Sequence, residues 1–115
     1  MMTTPRFLQG AFGFEGQGLD KPSLLHPTLT YTVPEGVTGQ ALYVRGGNSA
    51  DELVTLVLVV DGAPARWLPI GAKADMHVSL RVVEDLLSGS TVELHAAAPD
   101  GCTGTLVVDC GLVEV

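Results

Sequence analysis

Basic residues are scarce in this chain. Six Lys and Arg stand against thirteen Asp and Glu, a formal net charge of −7. Affinity for a phosphate backbone depends on clustered Lys and Arg, so nucleic acid is not an expected partner. An anionic membrane surface is disfavoured for the same reason. No apolar run approaches the ~18 residues a membrane-spanning helix needs, and Met1-Met2-Thr3-Thr4-Pro5-Arg6 lacks the basic-then-apolar order of a secretory leader. Cysteine is nearly absent, with only Cys102 and Cys110. In one extended segment their spacing amounts to roughly 26 Å, beyond disulfide reach. Both are read as free, small hydrophobes in a reducing cytoplasm.

Recognisable catalytic spacing is missing too. The sequence has no Gly-x-Ser-x-Gly, no His-Glu-x-x-His and no Cys-x-x-Cys. Gly10, Gly13, Gly16 and Gly18 do not make a phosphate loop, because no Gly-Lys-Ser/Thr and no preceding strand accompany them. The acids lack EF-hand spacing, and Asp61 and Asp100, each before glycine, are better explained as turn formers. No cofactor is implied. Nor does any segment hold a 3.6-residue period over three turns; Val82 to Leu87 offers one turn at most.

What is present is β-pattern. Thr28 to Val33 alternates strictly, with Leu29, Tyr31 and Val33 on one face, and Pro34-Glu35-Gly36 turns the chain. Ala41 to Arg45 predicts a second strand, ended by Gly46-Gly47-Asn48-Ser49. Glu52 to Val60 is apolar on both faces, and Asp61-Gly62 supplies the residue types of a two-residue hairpin turn. Ala65 to Leu68, Met76 to Val83, Thr91 to Ala98 and Thr105 to Val115 complete the set, with Pro69 marking an edge. Short strands with regular turn signals predict an all-β domain, a small antiparallel sandwich of jelly-roll or immunoglobulin-like type. Residues 28–115 form that domain. Residues 1–27 read as a Gly/Phe-rich N-terminal arm, because all three phenylalanines lie there, and aromatics argue against a free tail.

The strand at 52–60 bears on assembly. A surface strand in a small sandwich should alternate apolar with polar residues. Here Leu53, Val57 and Val59 make a second apolar face, which predicts another layer or another chain over it. A charged fraction of 17% leaves apolar surface over and points the same way. Leu53, Val57 and Val59 are the expected interface, with Phe7, Phe12 and Phe14 anchoring the arm.

Two polar sets are candidates for chemistry. Tyr43 and Arg45 with Arg66 and Trp67 combine aromatic rings and guanidinium groups, as sugar-binding and protein-binding surfaces do. His77, Ser79 and Arg81 alternate with Met76 and Val78, as Thr91, Glu93 and His95 alternate with Val92 and Leu94. If these strands are antiparallel neighbours, one register sets His77 opposite His95 and Ser79 opposite Glu93. The other sets Arg81 opposite Glu93 and Ser79 opposite His95. Either gathers His77, His95 and Glu93 as a possible metal or acid–base site. Three functions therefore compete. The leading one is a non-catalytic cytoplasmic subunit that forms a homo-oligomer or serves a larger complex. The second is a small-ligand or carbohydrate-binding module using Tyr43, Arg45, Arg66 and Trp67. The third is a small metal-dependent enzyme.

Overall fold

A computed structural model describes residues 3–80 and 83–115. Nine strands follow one another: β1 (Thr4–Glu15), β2 (Ser23–Leu24), β3 (Thr30–Thr32), β4 (Gly39–Asn48), β5 (Val54–Val60), β6 (Ala63–Ile70), β7 (Asp75–Ser79), β8 (Thr91–Ala97) and β9 (Thr103–Glu114). Among the described residues there is no helix, and so none long and apolar enough to cross a membrane. The chain is an all-β antiparallel sandwich.

Its topology is a nested hairpin that has been rolled up. β5 pairs with β6, β4 with β7, β2 and β3 with β8, and β1 with β9. Rolling adds the β9–β4 and β8–β5 pairings, which close two sheets. The first sheet runs β1-β9-β4-β7; the second runs β2-β8-β5-β6, with β3 beside β8. This is the jelly-roll alternative. The innermost turn is Asp61-Gly62, both at positive φ (51° and 80°), as a two-residue hairpin requires. The Asp61 carboxylate also accepts a hydrogen bond from the Thr91 amide at 2.9 Å, which ties this turn to β8.

Inward side chains from both sheets make one core. Leu56, Leu58, Leu94, Leu106, Leu112 and Val44 are its centre, with Phe12 and Phe14 of β1 packed against it. Burying each such leucine stabilises the fold by about 1.5–3 kcal/mol. The segment expected as an arm thus supplies an entire edge strand: β1 pairs with β9 over twelve consecutive positions. Gly46 and Gly47 lie inside β4 rather than ending it. A Cβ on Gly46 would meet Ile70 and Leu56 at 2.9 and 3.0 Å, so glycine is what lets the sheets approach there.

The doubly apolar strand also has an internal explanation. Val54, Leu56 and Leu58 face the core, and Thr55, Val57 and Val59 face outward, yet all are buried. Val57 is 0% exposed. On that face it is flanked by Trp67 and His95, and Val59 by Pro64 and Glu93. Larger side chains on the neighbouring strands shield small ones on the central strand, without a further layer or chain. Leu53, just before β5, is exposed.

A polar clasp joins the sheets at one end. Arg6 of β1 donates to both carboxylate oxygens of the buried Glu114 on β9, at 3.1 and 3.3 Å. The Tyr31 hydroxyl of β3, in the other sheet, donates to the same carboxylate. Those bonds, first Tyr31 and then Arg6, hold the Glu114 carboxyl below its ordinary range. Burial, then the neighbouring carboxylate, pushes the Tyr31 phenol up to about 12. Both thiols are free; burial, with Asp109 adding to it, raises Cys110 to about 12, so it is an inert core group.

Two outcomes follow for stability. The clasp contributes fully above the usual glutamate range, is lost as pH falls through the depressed Glu114 value, and is lost again as pH rises from 10 through about 12. Tyr31→Phe should therefore lower the thermal midpoint by a few degrees at pH 7, and the difference from wild type should shrink as pH falls below the usual glutamate range; thermal melts across pH measure it. Val57→Glu should destabilise the monomer by about 3 kcal/mol or more, since it places a carboxylate where water does not reach, and urea denaturation reads this directly.

Candidate surface on the outer face of the first sheet

The register of β1, β9, β4 and β7 composes the outer face of the first sheet row by row. One row reads Phe7, Gly111, Tyr43, Ser79. The next reads Gln9, Asp109, Arg45, His77. A third reads Ala11, Val107, Gly47, Asp75. Neighbouring strands lie about 4.8 Å apart, so each row spans roughly 14 Å.

Two backbone features create this surface. Simple alternation from the buried Ala41 would turn Tyr43 and Arg45 inward. A β-bulge between Ala41 and Tyr43 inserts Leu42 and reverses the parity, so Val44 enters the core and Tyr43 and Arg45 face out. Re-aiming a side chain is a recurrent role of bulges. Opposite Tyr43 stands Gly111, where any Cβ would collide with the tyrosine ring. The ring therefore lies down across Gly111, toward Phe7, which is 53% exposed.

Polar groups hold the ring in place. The Tyr43 hydroxyl donates to Asp109 Oδ1 at 3.1 Å, and Arg45 Nη2 donates to Asp109 Oδ2. The Arg45 guanidinium lies 5.6 Å from the centre of the Tyr43 ring, and His77 meets that ring edge-on at 6.0 Å. Burial, then the bond to Asp109, raises the Tyr43 phenol above its usual value, and the same carboxylate raises Arg45. At neutral pH the trio is a neutral phenol plus a closed ion pair. The third row opens into a groove of about 450 Å³ whose lining includes Gly47, Asp75, Lys73, Thr105 and Val107. A ligand here would find a flat ring, a second exposed ring and a line of donors and acceptors beside them.

The other candidate residues are distributed elsewhere. Trp67, 49% exposed, lies on the outer face of the second sheet, opposite Val57. Arg66 pairs with Leu58 and turns the other way, into a cleft of about 50 Å³ that it shares with Leu86, Glu84 and Val92. So Tyr43 and Arg45 share one site, and Trp67 and Arg66 lie outside it and apart from each other. The proposed metal set is also divided. β7 pairs with β4 and β8 with β5, so these two strands belong to different sheets and His77 does not meet Glu93 or His95. The connection between them crosses the sandwich, with Leu86 bridged to Gly39. His95 and Glu93 stay together at 3.1 Å, and Glu93 also accepts from Thr30 at 3.4 Å. Arg81 lies outside the described residues, as does part of the strand expected over 76–83. Among the described residues, no three His, Cys, Asp or Glu are placed to hold a metal. Sequence reasoning missed Asp109 and Gly111 as partners of Tyr43, and Gln9 opposite Asp109; the alternation of residues 105–115 was the available signal for the first two, but the strand pairing that uses it was not.

No protein-family model matches this chain, and no curated protein matches it by sequence. Solved structures do share its fold. It superimposes on the CBM36-1 domain of a multidomain xylanase from the hindgut metagenome of Trinervitermes trinervoides with a TM-score of 0.58 and 14% identity, covering 96% of each chain. A family 35 carbohydrate binding module from Clostridium thermocellum gives 0.52 and 15%, over 95% of this chain and 97% of that one. The insecticidal delta-endotoxin Cry8Ea1 from Bacillus thuringiensis gives 0.56 and 8%, matching 91% of this chain but 19% of the toxin. At such identities the likeness is one of fold: this chain has the sandwich architecture found in carbohydrate-binding modules and in other proteins.

Proposed function

We propose that this chain is a carbohydrate-binding module and that its ligand lies across the outer face of the first sheet. The observation that carries the reading is the Tyr43 ring laid over Gly111 and clamped by Asp109, with Phe7 exposed beside it. An aromatic ring held flat offers an apolar surface to the C–H face of a sugar, at little entropic cost because it is already ordered. Sugar hydroxyls both donate and accept. Gln9, Arg45, Asp109, His77 and Ser79 line the same rows and supply both roles. Whole-length similarity in fold to two carbohydrate-binding modules supports the assignment.

Charge narrows the ligand class. The chain carries a net charge of −7, and Arg45 is already paired with Asp109. Among the described residues of this face, Arg45 is held by Asp109 and Lys73 by Asp51, so a polyanionic glycan would meet repulsion and the expected ligand is a neutral polysaccharide.

Affinity electrophoresis in gels containing soluble xylan, a soluble β-glucan or polygalacturonate tests this. Retardation is expected from a neutral polysaccharide and not from polygalacturonate. Tyr43→Ala should weaken binding about tenfold, equivalent to ~1.4 kcal/mol. Gly111→Ala should weaken it as well, because it lifts the ring. Trp67→Ala, on the opposite sheet, should leave it unchanged. Absence of retardation by every neutral polysaccharide tried, or loss on Trp67→Ala with Tyr43→Ala silent, overturns the reading.

A further inference from the structure

The two sheets expose four edges, and three of them are blunted. β6 carries Pro64 and Pro69 and a bulge against β5. β7 is only five residues long. The edge beyond β8 is divided between β2 and β3, of two and three residues. Short strands, prolines and bulges are the devices by which sheets avoid pairing with another chain. β1 is the least protected: its single proline, Pro5, stands near its start and leaves residues 6–15 open. It is twelve residues long, about 40 Å of extended chain, and bears charge only at Arg6 and Glu15. Arg6 is turned to Glu114 of its own chain. Among the described residues no backbone or side-chain hydrogen bond reaches the margin of β1 that faces away from β9.

We propose that β1 pairs antiparallel with β1 of a second copy of this chain, joining the two first sheets into one sheet of twice the width. A twofold axis through the middle of β1 sets identical strands antiparallel, so the open donors and acceptors of each copy complete those of the other. Side chains opposite one another in such a pair point to the same face. Odd-numbered residues of β1 therefore oppose odd-numbered ones. Phe7, Gln9 and Ala11 of both copies then lie on the outer side, continuous with Tyr43 and Arg45. Leu8, Phe12 and Phe14 stay on the core side. A slip by one residue would set outward side chains against inward ones, so the permitted registers are few.

The dimer extends the candidate surface as well as covering the edge. Phe7 and Gln9 are on the strand at the junction, so the second copy adds its own pair to the same rows. Two faces on one rigid sheet would bind a repeating polymer with avidity that neither has alone. Pairing itself is independent of what that face binds. A strand edge of this length buries an area at the low end of specific interfaces, so the dimer should be in equilibrium with monomer and depend on concentration.

Light scattering after size exclusion of the full chain, over a wide concentration range, tests the pairing. The mass should rise from 12.0 kDa toward twice that value as concentration increases. Amides of residues 4–15 that point away from β9 should gain protection from hydrogen exchange over the same range. The double variant Gln9→Lys/Ala11→Lys places two like charges on each strand at the junction, and should remain at the monomer mass with unchanged far-ultraviolet circular dichroism. Trp67→Lys, on the second sheet, should dimerise as wild type does. A mass fixed at 12.0 kDa at all concentrations overturns the proposal. So does a dimer in which the β1 amides exchange as fast as in the monomer, which would place the contact elsewhere. Loss of polysaccharide binding by Tyr43→Ala with the dimer intact would leave the pairing standing, and a monomer that still binds xylan would remove the pairing alone.

Discussion

The position of β9 between β1 and β4 is the constraint on which the rest depends. Its even-numbered residues Leu106, Val108, Cys110 and Leu112 enter the core, and this commits Val107, Asp109 and Gly111 to the outer face. A shift of one residue would exchange the two sets and leave four apolar side chains in water, at about 1.5–3 kcal/mol for each leucine. The hydrophobic core therefore holds Asp109 in line with Tyr43 and Arg45. The surface polar cluster is a consequence of core packing, and its own ion pair adds little, since Arg45 is largely exposed.

Glycine does two different things in this frame. At Gly46 it lets the two sheets close on Leu56 and Ile70, so it serves packing. At Gly111 it lets a tyrosine ring lie on the backbone, so it shapes the surface. The bulge at Leu42 makes the second use possible, because it turns Tyr43 to the same side as Gly111. One inserted residue in β4 and one missing side chain in β9 together convert a plain sheet face into a platform with a polar margin.

The two sheets differ in how they treat their outer faces. The second buries valines on β5 beneath Trp67, His95, Glu93 and Pro64, and presents a closed, mixed surface. The first keeps small residues at Gly47 and Gly111 and opens a groove beside Val107 and Asp75. The Arg6–Glu114–Tyr31 clasp joins β1 and β9 of the first sheet to β3 of the second and so helps to anchor the edge strand that carries Phe7. Core, clasp and platform are thus mechanically one object, although the residues come from opposite ends of the chain.

Much of this was legible in the residues alone. Alternation with period two predicts strands, and Asp61-Gly62 predicts a turn at positive φ; both are local properties, set by sterics within a few residues. The scarcity of basic residues sets an expectation against polyanionic partners at the same level. The class of fold follows from these. Which strands become neighbours does not, because pairing joins residues as far apart as Phe7 and Gly111, and nothing local records it. That is why His77 and His95, close in a hairpin reading, lie in different sheets; Arg66 and Trp67, adjacent in β6, face opposite ways by strand alternation alone. Long-range pairing is also why Tyr43 and Asp109 meet. The sequence by itself determined an all-β sandwich and most of the strands after residue 28, while β1 and β2 lay in the segment read as an arm. Only the tertiary structure decided which polar residues share a face, because a bulge of one residue reverses parity and long-range register assigns the partners.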